Sequence, residues 1–219
     1  MNSKKKNLIP LFIVLTCFFA LFSYPFVRSS VAALFYEHYT SDDYSYATFF
    51  SVVTLMVFIS ISNFLQNKIG IQKLYFGTTC IMIALLGGSF LGIQAGIKEF
   101  AYVLFATKES YIVLMVHLCL AFANAYFNLE ELKKYIGPIG AIGSLGGVIG
   151  GFLTSAIVEN YGTNTALWTS LILIFISGVC FYFTKSVSIK GLNKNKSVTP
   201  FKAVRGVKKY VFLIGAVVA

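Results

Sequence analysis

Charge is scarce in this chain. Asp, Glu, Lys and Arg make up 12% of its 219 residues, about half the share of a soluble domain. Carboxylates are scarcer still, 8 against 18 Lys and Arg. Outside the solvated loops there are no paired carboxylates, no nucleophile with a base and no metal-ligand spacing, so no catalytic centre is expected and the chain does not read as an enzyme. Cysteine is confined to Cys17, Cys80, Cys119 and Cys180, each inside an apolar stretch, far apart and without a CxxC pair. These read as small hydrophobes, and the spacing supports neither a disulfide framework nor a metal site. The net charge of +10 shows no basic face and no aromatic–basic alternation, which argues against a nucleic-acid partner. No cofactor is implied.

What the chain has in abundance is apolar sequence, 57% of its residues, gathered in runs near 20 residues long. Such runs predict an all-α, polytopic membrane protein whose first partner is the lipid bilayer. The spans are Leu8–Val27, Tyr44–Leu65, Leu74–Ile93, Ser110–Phe127, Ile136–Val158 and Thr165–Thr184. Trp168 and Tyr182 stand near the ends of the last as interface anchors, and the tyrosine-rich outer loop around Tyr39 reads as part of an aromatic belt. Lys4-Lys5-Lys6 precede the first span with no small-residue cleavage site after it, so that span is expected to be retained. With the N-terminus inside, 15 of the 18 basic residues fall on cytoplasmic segments and only Arg28, Lys98 and Lys108 outside. The expected organisation is a six-helix transmembrane bundle over 1–184, a basic cytoplasmic linker over 185–209 and the start of a seventh helix over 210–219. Both ends of the bundle face the cytoplasm of the inner membrane.

The fifth span carries seven glycines between Gly137 and Gly151. In water each would cost a helix about 1 kcal/mol against Ala. In lipid the backbone must satisfy its own hydrogen bonds, so a helix remains the expected state. No Lys-Ser/Thr pair follows Gly151, which excludes a phosphate-binding P-loop, and the glycine triplets are too few for a collagen helix. Gly140, Gly143, Gly147 and Gly150 recur at helical spacing and predict one bare face, a packing or sliding seam against a neighbouring helix.

Polar groups inside apolar spans are costly, so each is a candidate for function. Arg28 follows Pro25 at the end of the first span and lies inside the helix if that span continues to Tyr36. It is either a substrate contact or an interface anchor. His117 and Asn124 share a stripe with Asn128 on the fourth span, with Glu131 near its cytoplasmic end. The stripe lines a cavity, bonds a neighbouring helix or, since histidine exchanges protons near neutrality, carries a coupling proton. Ser51, Thr54, Ser60, Ser62 and Asn63 give the second span a mild polar load.

The stretch Asn63–Lys73 keeps Lys68, Gly70 and Lys73 at the places of the short basic loop between helices two and three of the major facilitator superfamily, with Asn63 and Asn67 where that pattern has glycine and aspartate. The resemblance implies a cytoplasmic gate role for Lys68. Phe122-Ala123-Asn124, Glu130–Pro138 and the glycine run resemble the helix-four to helix-five region of the ATP/ADP translocases and their bacterial relatives, and Arg28 matches their arginine after the first helix. Ser29-Ser30 stand where nucleotide exchangers have Lys-Asp, which removes a cation from that place. The likeness implies the N-terminal half of a twelve-helix transporter, its site at midplane between two halves. On that reading the chain is a secondary transporter for a small anionic solute, a nucleotide-like one among them, with Arg28, His117 and Asn124 at the solute. Its partner is a second six-helix half or a second copy. The alternative is a permease-derived scaffold or sensor that transports nothing.

Overall fold

Apolar runs in lipid close their backbone hydrogen bonds within helices, and the computed structural model, which describes residues 9–184, is helical throughout. Its elements are α1 (Ile9–Tyr36), α2 (Ser41–Ile69), α3 (Ile71–Gln94), α4 (Phe100–Tyr126) and α5 (Leu129–Phe183), with no strand among the described residues. The expected linker over 185–209 and seventh helix over 210–219 lie outside these residues.

The four shorter helices have 24 to 29 residues. At 1.5 Å per residue each is about 36–44 Å long, more than the roughly 30 Å of a hydrocarbon core. The sequence-based boundaries were too short. α1 passes through Pro25 and ends eight residues beyond Arg28, because a proline's lost hydrogen bond is tolerated where neighbouring helices support the backbone. α4 begins ten residues before Ser110, so Lys108, expected in an outer loop, is inside a helix.

Five long helices are assigned among the described residues, so the expected count of six is not confirmed. The fifth and sixth spans lie in one 55-residue element, α5, in which two helical arms meet at a kink. Its break is Gly162, at φ 83° and ψ 166°, a left-handed conformation that glycine alone adopts without strain. Helical bonding resumes at once on the far side. Gly70, at φ 80°, joins α2 to α3 in a single residue.

Helix starts follow local chemistry. At α2, the Asp43 carboxylate accepts from the Thr40 backbone N–H at 3.0 Å and from its hydroxyl at 2.8 Å. At α5, Asn128 Oδ1 accepts from the Glu131 N–H at 2.8 Å while Glu131 Oε2 accepts from the Asn128 N–H at 3.3 Å, a reciprocal capping box. Asn128 therefore leaves the His117–Asn124 stripe: α4 has ended at Tyr126, and this side chain starts the next helix. Asn128→Ala is expected to lower stability by about 1 kcal/mol, read as a lower thermal midpoint in detergent.

α4 is the most buried helix, packed by α1, α2 and α3, while α1 lies between α4 and α5. Tyr75 of α3 stacks on Phe181 of α5 at 3.9 Å, and the Tyr75 hydroxyl is 2.9 Å from Ser177 Oγ. Ser177 in turn donates to the Thr16 carbonyl of α1 at 3.0 Å. The outer faces are apolar: Tyr46 and Phe49 are 73% exposed and Phe152 77%. A water-soluble monomer rarely presents so much continuous apolar surface. Polar groups inside and hydrocarbon outside mark an integral membrane protein.

Candidate functional site: a charged cluster between α1 and α4

α1 and α4 run antiparallel, and their contacts fix the register. Cys17 meets Cys119, Ser23 meets Tyr111, Tyr24 meets Glu109, and Phe35 meets Phe105 and Tyr102. Each step along α1 away from its N-terminus is a step back along α4. That register sets Arg28 at the level of Lys108.

Lys108 is 3% exposed, a cation taken out of solvent. Its Nζ lies 3.5 Å from the centroid of Phe105 and 5.6 Å from that of Tyr44, so ring faces supply part of what water would. Its counter-ion is the next residue, Glu109, with Oε1 at 3.9 Å. Glu109 is 40% exposed and accepts from the Tyr24 hydroxyl at 2.9 Å through Oε2. Behind them the Tyr111 hydroxyl lies 3.2 Å from Ser23 Oγ, which itself donates to the Ala20 carbonyl at 2.8 Å.

Arg28 stands one helical turn beyond Tyr24 on the same side of α1. It is exposed and makes no hydrogen bond or ion pair among the described residues. Its charge reaches both Tyr24 and Lys108. Arg28 thus adds a second positive charge beside the Lys108–Glu109 pair.

The other predicted residues are placed elsewhere. His117 is half-buried, with Nε2 3.3 Å from Asn63 Oδ1, a link between α4 and α2. It is nine residues from Lys108 on the same helix, about 14 Å along the axis, so it does not join the charged cluster. Asn124 is exposed two turns further on. Lys68 ends α2, its Nζ 4.1 Å from the centroid of Phe64, where its charge complements the helix C-terminus.

The glycine face of α5 lies on α1. A Cβ on Gly143 would come within 2.8 Å of Leu21 Cδ1, and one on Gly146 within 2.6 Å of the Phe18 carbonyl. A Cβ on Gly150 would run into the Phe22 carbonyl more closely still. Gly147 is at the edge, 3.8 Å from the Leu21 carbonyl on the same measure, and Gly140 has open space around it. Gly146, outside the face read from the sequence, is thus at the centre of the crossing.

Beyond Arg28, Phe35, Tyr39, Tyr44, Tyr102 and Phe105 form an aromatic cluster. In the α1–α2 loop, burial and then the carboxylates of Glu99 and Asp43 push the Tyr39 phenol above its ordinary value, so it stays a neutral donor at physiological pH.

Sequence reading set Tyr24 on one face with Cys17 and Arg28 but missed Lys108 and Glu109 as that face's neighbours on α4. The available signal was a Lys-Glu pair that interrupts an otherwise apolar stretch from Phe100. Among the described residues no three His, Cys, Asp or Glu side chains gather as a metal site.

No curated protein and no solved structure matches the chain. The sequence model of the Major Facilitator Superfamily matches residues 111–219, just under half of the chain. Members of that superfamily are transporters rather than enzymes, and the match, with five helices long and apolar enough to cross a membrane, supports a membrane transporter of the major facilitator type.

Proposed function

We propose that the chain is the N-terminal part of a secondary transporter in the cytoplasmic membrane, moving a small anionic solute past Arg28 and Lys108. The observation that carries this reading is the desolvated Lys108 at the level of an Arg28 that has no ion pair among the described residues, where Glu109 is the one carboxylate paired with Lys108. In a low-dielectric interior an uncompensated positive charge draws an anion strongly. His117 and Asn124 would line the path further along α4, and Lys68 would act at the cytoplasmic gate. The bend at Gly162 divides α5 into arms of about 50 and 30 Å, each long enough to cross, which gives six crossings with the lysine-rich segments inside. The α1–α5 glycine crossing would be the seam that shifts during the cycle. A second bundle of helices would close the site from the opposite side. The narrower likeness to nucleotide translocases rests on Arg28 and the glycine helix; Lys108 would supply the cation that Ser29-Ser30 do not.

The test is uptake by cells expressing the protein of labelled phosphate, a mono- and a dicarboxylate and a nucleoside diphosphate, with a neutral sugar as control. Uptake of an anion is expected, and Arg28→Gln should reduce it at least tenfold at equal membrane abundance. Uptake that survives Arg28→Gln removes that residue from the site, and uptake of the neutral sugar alone overturns the anionic reading.

A further inference from the structure

We propose that Cys17 and Cys119 are a redox-active dithiol, converted by peroxide-class oxidants into a disulfide that ties α1 to α4. The two residues are 102 positions apart in sequence, yet their sulfurs are 2.8 Å apart across the α1–α4 contact. A disulfide needs about 2 Å, so bond formation asks for less than 1 Å of side-chain movement. Both side chains are buried, at 4% and 1% exposure. The Cys119 thiol also lies 3.8 Å from the Ile13 carbonyl, which orients it along α1. Cys80 and Cys180 have no sulfur partner among the described residues and are exposed and half-buried.

Burial selects the oxidant. A charged or bulky disulfide reagent has no route to these sulfurs, whereas hydrogen peroxide is small, uncharged and crosses bilayers. The Cys17 or Cys119 sulfur attacks a peroxide oxygen; the O–O bond breaks, giving a sulfenic acid and water. The second sulfur then displaces the hydroxyl, the S–S bond forms, and a second water leaves with the remaining thiol proton. Two thiols and one peroxide give one disulfide and two waters, a two-electron oxidation that a dithiol reductant reverses.

The position gives the bond a consequence. The Cys17 carbonyl and Cβ also form one wall of the notch that receives Gly143 of α5, both within 4 Å of a Cβ built there. Oxidation therefore pins α1 to α4 at the level where α1 crosses the glycine face. Closing so long a loop restricts the unfolded chain strongly, so the oxidised protein should be the more heat-resistant form.

The experiment uses the full chain in membranes, treated with hydrogen peroxide, blocked with N-ethylmaleimide and mapped by mass spectrometry without reduction. The expected result is a Cys17–Cys119 cross-linked peptide and a thermal midpoint raised by about 10–15 °C, for a loop of this length. Both should be reversed by dithiothreitol, kept in Cys80→Ala/Cys180→Ala and lost in Cys17→Ala. Recovery of Cys17 and Cys119 as alkylated thiols after peroxide treatment and denaturation, whether or not Cys80 has reacted, overturns the proposal. The readout needs no solute, so its failure leaves the anion reading standing, and the reverse holds.

Discussion

Gly150→Ala is expected to lower the stability of the bundle by about 3 kcal/mol, at the upper end of the range for overpacking a well-fitted contact. Replacing a helical glycine by alanine normally favours the helix by about 1 kcal/mol. Here the added methyl would enter the Phe22 carbonyl, with the Phe22 carbonyl carbon and Cα close behind. Those atoms are backbone and have no rotamer to escape into. α1 and α5 must move apart, and every side-chain contact along the crossing loosens with them. Gly146→Ala meets the Phe18 carbonyl in the same way. Gly140→Ala is the control, because the space around Gly140 is open. In detergent, Gly150→Ala should melt about 10 °C below the unsubstituted protein, and Gly140→Ala should melt level with the unsubstituted protein or a few degrees (about 2–4 °C) above it. Equal midpoints for all three would mean that α1 and α5 do not approach closely at this crossing.

That contrast also shows what the sequence made legible. Small residues at helical spacing announce a flat face, and Gly143 and Gly150 are on it. Spacing alone does not say where a crossing partner is centred, so Gly140 falls beyond the contact and Gly146 within it. The apolar runs fixed helix type in the same way, since lipid leaves the backbone few alternatives. Ends were harder to read. Hydropathy declines at Lys108 and at Asn160–Gly162, but only the second is a break: α4 continues through Lys108, which has Glu109 and two rings as partners, whereas α5 kinks at the left-handed Gly162. The site suffered most from this. Arg28 was visible because it stands alone in an apolar run, and helical spacing put Tyr24 and Cys17 on its face, whereas Lys108, the Tyr24–Glu109 bond and the pairing of Cys17 with Cys119 depend on the antiparallel register of α1 and α4. Nothing local encodes that register. Asn128 shows the reverse error: a periodicity drawn across a helix end assigned a capping residue to a stripe.

Lys108→Met is expected to separate function from stability. Met keeps an unbranched stem of similar length against Phe105 and Tyr44 and removes a charge that is costly to hold out of water. Glu109 is not stranded by the change, because it is 40% exposed and keeps the Tyr24 hydroxyl. Replacing a whole buried ion pair by apolar side chains is often neutral or stabilising by about 1–4 kcal/mol; here the desolvated member alone is replaced, and the exposed carboxylate left behind is not a buried charge. The thermal midpoint should hold or rise. Anion uptake should fall at least tenfold, the equivalent of about 1.4 kcal/mol or more of lost solute interaction. Glu109→Gln should do the opposite to stability: it leaves Lys108 without its counter-ion, at a cost of about 1–2 kcal/mol after allowing for the exposure of the carboxylate. If Lys108 were only half of a structural ion pair, both substitutions would act through folding alone, and Lys108→Met would transport as well as the unsubstituted protein. A variant that melts no lower yet has lost uptake is a result that only a solute-facing lysine produces.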